Sequence, residues 1–195
     1  MLRLTMLFVL ILVVAFFVAA ELSLIAASPQ QMDQLSQQTV EPRQAKAAQR
    51  VKYAQAHLQQ YLSVTQTGTT AGSLLLGWLG EGATVHWIEP WMHWLPLNRF
   101  HLPVMLTTHS IAVVTAFLFV TYIEILLGEL IPKVLASHAP ERTALLLIRP
   151  LQLCSYLFFP FLVLLNSHVR FLTGWLTQDD SPFVLKPQVE HKVLE

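Results

Sequence analysis

Residues 4–20 read LTMLFVLILVVAFFVAA, an almost wholly apolar run without Asp, Glu, Lys or Arg. Glu21 interrupts the run, and residues 22–28 extend it past the roughly 20 residues that a helix needs to cross a bilayer. A charged side chain is costly at the bilayer centre, so an uncharged stretch of this length indicates a membrane span. We predict that the first span covers about residues 3–27.

The composition of the whole chain also indicates a membrane protein. Hydrophobic residues make up 54% of the 195 residues, and charged residues make up only 12%, whereas soluble domains carry about 25% charged residues. Mean hydropathy is +0.51. We therefore expect neither a soluble enzyme nor any enzymatic activity. The 12 basic and 12 acidic residues balance, so we expect no nucleic acid partner.

Two further uncharged runs predict the second and third spans. Residues 53–80 carry no formal charge, and most of the apolar residues of this run lie toward its C-terminal end. The run therefore predicts a span over about 60–80. Residues 100–123 form the third run, which continues through two glutamates and predicts a span over about 101–131.

A fourth uncharged run, residues 150–169, has Pro160 in its middle and basic residues on both sides. We favour an in-plane or re-entrant segment over 140–177, with a full span as the alternative. Residues 179–195 form a polar C-terminal tail.

The stretches between the runs predict the topology. Residues 30–58 form a predicted juxtamembrane amphipathic helix, which carries the basic residues Arg43, Lys46, Arg50 and Lys52. Residues 81–99 form a predicted loop with three of the five tryptophans, which is typical of a membrane interface. The positive-inside rule then places the N-terminus outside and the C-terminus in the cytoplasm. The predicted fold class is an all-α integral membrane protein with three spanning helices.

Three acidic residues fall within or beside the predicted spans: Glu21, Glu124 and Glu129. An acid in a membrane needs a partner, a proton or a cation. On a regular helix Glu124 and Glu129 lie about 140° apart, so they need not share one site. Glu21 as an interfacial residue and Glu124 as a contact to a neighbouring helix or headgroup remain alternatives.

Residues 128–133, GELIPK, give Glu129 a special setting. Pro132 has no N–H and clashes with the carbonyl four residues earlier, that of Gly128. A freed carbonyl beside a carboxylate predicts an oxygen-rich cation site. The alternative is a simple helix end in which Lys133 pairs with Glu129.

The second run supplies oxygen donors to complement these acids. Its polar residues are Ser63, Thr65, Gln66, Thr67, Thr69 and Thr70. Gly68 and Gly72 form a small-x-x-x-small pattern that allows close helix packing. Beside an acidic third helix, these oxygens suit a hard cation such as Mg²⁺ or Na⁺. The eight histidines show no paired ligand spacing and the single Cys154 offers no support, so we expect no zinc site.

Three segments resemble, in order, signatures of the CNNM/CorC transmembrane domain family, which includes bacterial hemolysin-like proteins. These segments are FFVAAELSL at 16–24, QTGTTAGSLLLGWLGE at 66–81 and GELIPK at 128–133. The resemblance covers about residues 5–178, and we assign residues 1–178 to such a domain. It implies a homodimer in the plasma membrane with three spans per subunit and a cytoplasmic juxtamembrane belt. It further implies export of Mg²⁺, or a related divalent cation, coupled to Na⁺ entry.

The resemblance also implies a set of metal ligands. Glu129 matches the family's glutamate, Thr65 replaces its second-helix hydroxyl, and Thr69 stands where an asparagine is expected. Val18 occupies the place of a first-helix serine. Backbone carbonyls near Ala20, Glu21 and Gly128 would complete the shell.

The departures at Val18 and Thr69 leave the substrate open. Mg²⁺ prefers about six oxygens in a tight octahedron, so the loss of two ligands favours a hydrated ion or another substrate. The family includes members associated with polyamine efflux, and a transport-inactive scaffold is a further alternative. Family members usually carry C-terminal nucleotide-binding modules, for which this sequence has no room, so we expect no ATP site in it.

Overall fold

The structure is a computed structural model that describes residues 2–37, 41–92 and 108–173. Within these ranges the chain is helical, with short connections and no strand. The helices are α1 (Leu2–Ala26), α2 (Pro29–Gln37), α3 (Pro42–Ala56), α4 (Leu58–Met92), α5 (Thr108–Ile123), the π-helix π1 (Glu124–Leu130), α6 (Ile131–His138) and α7 (Pro140–Thr173).

In the part of the chain that the structure describes, three stretches of helix are long and apolar enough to cross a membrane: Leu4–Ala26, Ser110–His138 and Pro140–Val169. The predicted fold class, an all-α membrane protein, is confirmed. The set of helices differs from the predicted one. The fourth run, for which an in-plane segment was favoured, lies in a helix with the length and composition of a span. Among the described residues, α4, which contains the predicted second span, is not one of these three stretches, and Thr, Ser, Gln and Gly dilute its leucines.

Helix α4 runs antiparallel to α1 in close contact. A Cβ atom added to Gly68 would lie 2.5 Å from ring atoms of Phe17, and one added to Gly72 would lie 2.7 Å from Val14. These glycines therefore let the two backbones approach, as the small-x-x-x-small pattern predicts. Helix α5 follows α1 in direction and packs on both α1 and α4, since a Cβ atom added to Gly80 would lie 3.1 Å from Val120 of α5 and 3.7 Å from Leu7 of α1.

The predicted loop that starts at residue 81 is helical as far as Met92. Val85 in this extension packs on Ala112 and Ala116 of α5, and all three side chains are buried. This tertiary contact accounts for the longer helix. The remainder of the predicted loop and the tail at 179–195 lie outside the described residues.

The predicted juxtamembrane helix over 30–58 consists of two helices, α2 and α3. Pro42 stands in the first turn of α3, where the missing N–H costs no helical hydrogen bond, so the second helix begins there. Lys52 of α3 forms an ion pair with Asp33 of α2. The buried face of α3 joins the main core and consists of Ala47, Ala48, Val51 and Ala54.

Helix α7 runs back along the end of α1 that is nearest the juxtamembrane helices. The amide of Ser28 donates to the Glu141 carboxylate at 3.4 Å, and further along the ring of Phe158 lies 6.1 Å from that of Phe17. The internal prolines of α7, Pro150 and Pro160, lie within a continuous helix.

Candidate cation site

A cavity of about 500 Å³ lies between α1, α4 and the π1–α6 segment. Its polar lining consists of Glu21, Gln66, Thr69, Thr70, Ser73, Glu124, Glu129 and Lys133. Its apolar lining consists of Val14, Val18, Leu22, Ile25 and Ile125. All three acids predicted from the sequence therefore face one space.

The π-helix explains why Glu124 and Glu129 share this cavity. In π1 the hydrogen bonds run from residue i to i+5, so side chains five residues apart lie on the same side of the helix. The separation of about 140° applies to a regular α-helix, whereas Glu124 and Glu129 lie in a π-helix. A π-helix within an α-helix often marks a functional site.

Pro132 does not end the helix. The N–H of Ile131 donates to the carbonyl of Leu126 in the last i→i+5 bond, and Pro132 then stands in the first turn of α6. Pro132 supplies no N–H to either of the next carbonyls, those of Leu127 and Gly128. The predicted helix break at Pro132 is therefore a widened helical turn. The π-helix accommodates the proline, and the helix continues without unwinding.

Glu129 and Lys133 form an ion pair. The distance from Lys133 Nζ to Glu129 Oε1 is 2.6 Å, and about half of each side chain is exposed. The sequence left two interpretations of Glu129 open, a cation ligand or a partner of Lys133. The pair forms, and it forms on the wall of an oxygen-lined cavity.

Thr65 of α4 forms a hydrogen bond with Glu21 of α1. The Thr65 hydroxyl donates to Glu21 Oε2 at 3.0 Å. It also lies 2.9 Å from the carbonyl of Leu62, but it has one proton, and a carboxylate is the stronger acceptor. Thr65 is fully buried and does not line the cavity, so it acts through Glu21. Thr69 lines the cavity, and its hydroxyl donates to the Thr65 carbonyl at 2.9 Å.

The other predicted ligands are less well placed. The carbonyl of Ala20 accepts a hydrogen bond of 3.0 Å from the Ser23 hydroxyl. Gly128 is buried against α1, where an added Cβ would lie 3.3 Å from Val14. Val18 lies on the cavity wall as an apolar side chain.

Sequence reasoning missed Ser73 as a cavity residue and did not separate Gln66 and Thr70 from the other polar residues of the second run. A signal was present, because Gln66, Thr70 and Ser73 follow the spacing of one helix face. Other Thr residues of the run lie between these positions, so the sequence pattern did not single out the face that lines the cavity.

The cavity lining is acidic but loosely arranged. Three carboxylates and one ammonium give a formal charge of −2. In the ranges that the structure describes, however, no three His, Cys, Asp or Glu side chains lie close enough together to hold a metal ion directly. The geometry suits a cation that keeps part of its water shell, as Mg²⁺ commonly does.

Comparison with known proteins gives one family. A family model described as the cyclin M (CNNM) transmembrane N-terminal domain matches residues 5–193. UPF0053 protein YrkA of Bacillus subtilis is 34% identical over 184 residues, which are 94% of this chain and 38% of YrkA. UPF0053 protein YhdT of the same organism is 36% identical over 183 residues, 94% of this chain and 36% of YhdT. Rv1841c of Mycobacterium tuberculosis is 36% identical over 155 residues, 78% of this chain and 40% of Rv1841c. The chain spans less than half the length of these relatives.

Proposed function

Because this chain belongs to the cyclin M (CNNM) transmembrane domain family, we propose that it carries a divalent cation across a membrane through the cavity between α1, α4 and π1. The observation that carries this proposal is the convergence of three carboxylates on one space. Glu21, Glu124 and Glu129 come from two different helical segments, and Lys133 offsets only one of their charges. A formal charge of −2 is neutralised by one divalent cation, which lowers the cost of placing the acids in a membrane.

Mg²⁺ is the cation that this lining favours. Carboxylate, hydroxyl and amide oxygens are the donors that Mg²⁺ accepts, and nitrogen and sulfur donors are not needed. The wide spacing of the acids supports a partly hydrated ion, in which Thr69, Thr70 and Ser73 contact waters of the ion rather than the ion itself. Thr65 and the carbonyls near Ala20 and Gly128 then act as supports of the wall.

Direction, coupling and assembly follow the family resemblance. The proposal includes export of Mg²⁺ coupled to Na⁺ entry, by a homodimer in the bacterial inner membrane with its N-terminus outside. Alternating access around a central site would bring the cavity to each side in turn.

The test is cation flux in liposomes that contain the purified protein. Glu129→Gln keeps the size of the side chain and removes its charge, and we expect it to abolish Mg²⁺ flux. Glu41→Gln is the matched control, because Glu41 precedes α3 and does not line the cavity; its flux should equal that of the natural protein. Equal flux for Glu129→Gln would remove Glu129 from the mechanism.

A second candidate substrate is a diamine. The cavity is wider than a bare metal ion requires, and a diamine would pair its ammonium groups with separate carboxylates and needs fewer dehydrating ligands. Titration with Mg²⁺, Na⁺ and putrescine separates the candidates. Binding of putrescine alone indicates a diamine carrier, and binding of none of the three indicates a transport-inactive scaffold.

A further inference from the structure

The geometry points to a role for Lys133 as a tethered cation, which occupies Glu129 when the cavity holds no substrate and must be displaced when a cation binds. This inference rests on the proposed function. It assigns to Lys133 the control of affinity at that same cavity.

Lys133 lies within the candidate cation site. Lys133 Nζ lies 2.6 Å from Glu129 Oε1, and both side chains line the cavity beside Glu21 and Glu124. The ammonium therefore neutralises one carboxylate of the site itself. A substrate cation that approaches Glu129 meets a positive charge that is already in place.

The pair of Lys133 and Glu129 can open. About half of each side chain is exposed, and both side chains line the cavity, so a cation that enters the cavity can reach the pair. Lys carries its charge on a flexible four-carbon stem, so the ammonium can leave Glu129 while the helix stays in place. A divalent cation, with twice the charge, can compete for the carboxylate.

Lys133 also suits the carrier in its empty state. A carboxylate without a partner is costly in a membrane, so a carrier that has released its cation needs another positive charge at Glu129. Lys133 supplies it from one helical turn away, in the favourable order of Glu before Lys at i and i+4. We infer that Lys133 weakens cation binding and in return assists release and the return of the empty carrier.

The test measures Mg²⁺ affinity by titration and Mg²⁺ flux in liposomes for the full chain. We expect Lys133→Met to bind Mg²⁺ about tenfold more tightly, because one like charge leaves the site, and to transport it more slowly. Lys133→Arg keeps the positive charge and should bind Mg²⁺ like the natural protein. Lys133→Arg also serves as a control for folding. If the Lys133 side chain had only a structural role, the effect of a substitution would not depend on its charge alone.

The chain offers a matched control. Lys52 and Asp33 form a second Lys–carboxylate pair, with exposed fractions of 42% and 48% against 49% and 48% for Lys133 and Glu129. That pair does not line the cavity, so Lys52→Met should leave the affinity and the flux unchanged.

Three outcomes are decisive. Tighter binding and slower flux for Lys133→Met, with natural behaviour for Lys133→Arg and Lys52→Met, supports the inference. Unchanged or weaker binding for Lys133→Met, when the natural protein binds Mg²⁺, overturns the inference and leaves the proposed function intact. No Mg²⁺ binding by the natural protein overturns the proposed function and the inference with it.

Discussion

Thr65 and Glu21 join α4 to α1 by a hydrogen bond of 3.0 Å, in which a fully buried hydroxyl donates to a carboxylate on the cavity wall. The bond ties one of the three acids of the candidate site to the helix packed beside it. We therefore expect Thr65 to act as a positioning residue for Glu21.

Replacement of Thr65 by valine tests this role. Thr65→Val keeps the branched shape but removes the donor, and a hydrogen bond to a charged group contributes about 1.5–3 kcal/mol. We expect a lower melting temperature in detergent and several-fold weaker Mg²⁺ binding. Thr65→Ser retains the hydroxyl and should keep most of the affinity. Natural affinity in Thr65→Val would show that Glu21 needs no support from α4.

The contact of Gly68 with Phe17 predicts a steric effect. A methyl group at Gly68 would lie 2.5 Å from the Phe17 ring, and that ring is buried with Phe16 and Phe158 as aromatic neighbours. Gly68→Ala should therefore lower stability by about 1–3 kcal/mol, the usual cost of overpacking.

Gly77 is the control for this change. An added Cβ there meets nothing within 4 Å, so Gly77→Ala should be neutral or stabilise by up to about 1 kcal/mol through helix propensity. Thermal melts of both variants in the same detergent compare the two effects. Equal melting temperatures would mean that α4 can move away from α1 without cost.

We expect Gln55 of α3 to stabilise the C-terminal end of α1. Its side-chain amide donates to the carbonyls of Leu24 and Ala27 at 3.2 and 2.8 Å, and the last carbonyls of a helix lack partners within it. Gln55→Leu should lower the free energy of unfolding by about 1–2 kcal/mol. Gln49→Leu changes an exposed residue of the same helix and should have little effect on the melting temperature. Equal melting temperatures for Gln55→Leu and Gln49→Leu would contradict this role of Gln55.

The pair of Asp33 and Lys52 predicts a titration shift. The hydrogen bond and the charge of Lys52 lower the pKa of the Asp33 carboxyl below its usual value of 3.8. A lowered pKa in the folded state favours folding above the usual value, and this contribution is lost as the pH falls through the lowered pKa. A carboxyl NMR titration should therefore give Asp33 a pKa below 3.8, and Lys52→Met should raise that pKa. A normal pKa in the natural protein would contradict the ion pair.

Local patterns in the sequence identified much of the site. Glu129 stands out because an acid in an apolar run next to Pro132 and Lys133 has few ordinary uses in a membrane. Gly68 and Gly72 were recognisable as a close-packing pattern, and the structure places them against Phe17 and Val14 of α1. These predictions need only the order of residues and the period of a helix.

Other features depend on neighbours that are distant in sequence. The extension of helix α4 beyond Gly80 follows from the contact of Val85 with Ala112 and Ala116. The local sequence of residues 81–92 does not predict this extension. Likewise, the division of the juxtamembrane region into α2 and α3 brings Lys52 to Asp33.

The sequence by itself determined that this chain is a helical membrane protein of a recognisable family, because long uncharged apolar runs and short motifs are properties of adjacent residues. Only the tertiary structure decided that Glu21, Glu124 and Glu129 line one cavity. The direction of a side chain depends on the hydrogen-bond ladder of its helix, and the change from i→i+4 to i→i+5 bonding in π1 turns Glu124 and Glu129 to the same side. The closeness of Glu21 to them depends on how the helices pack, which residues far apart in the chain decide together.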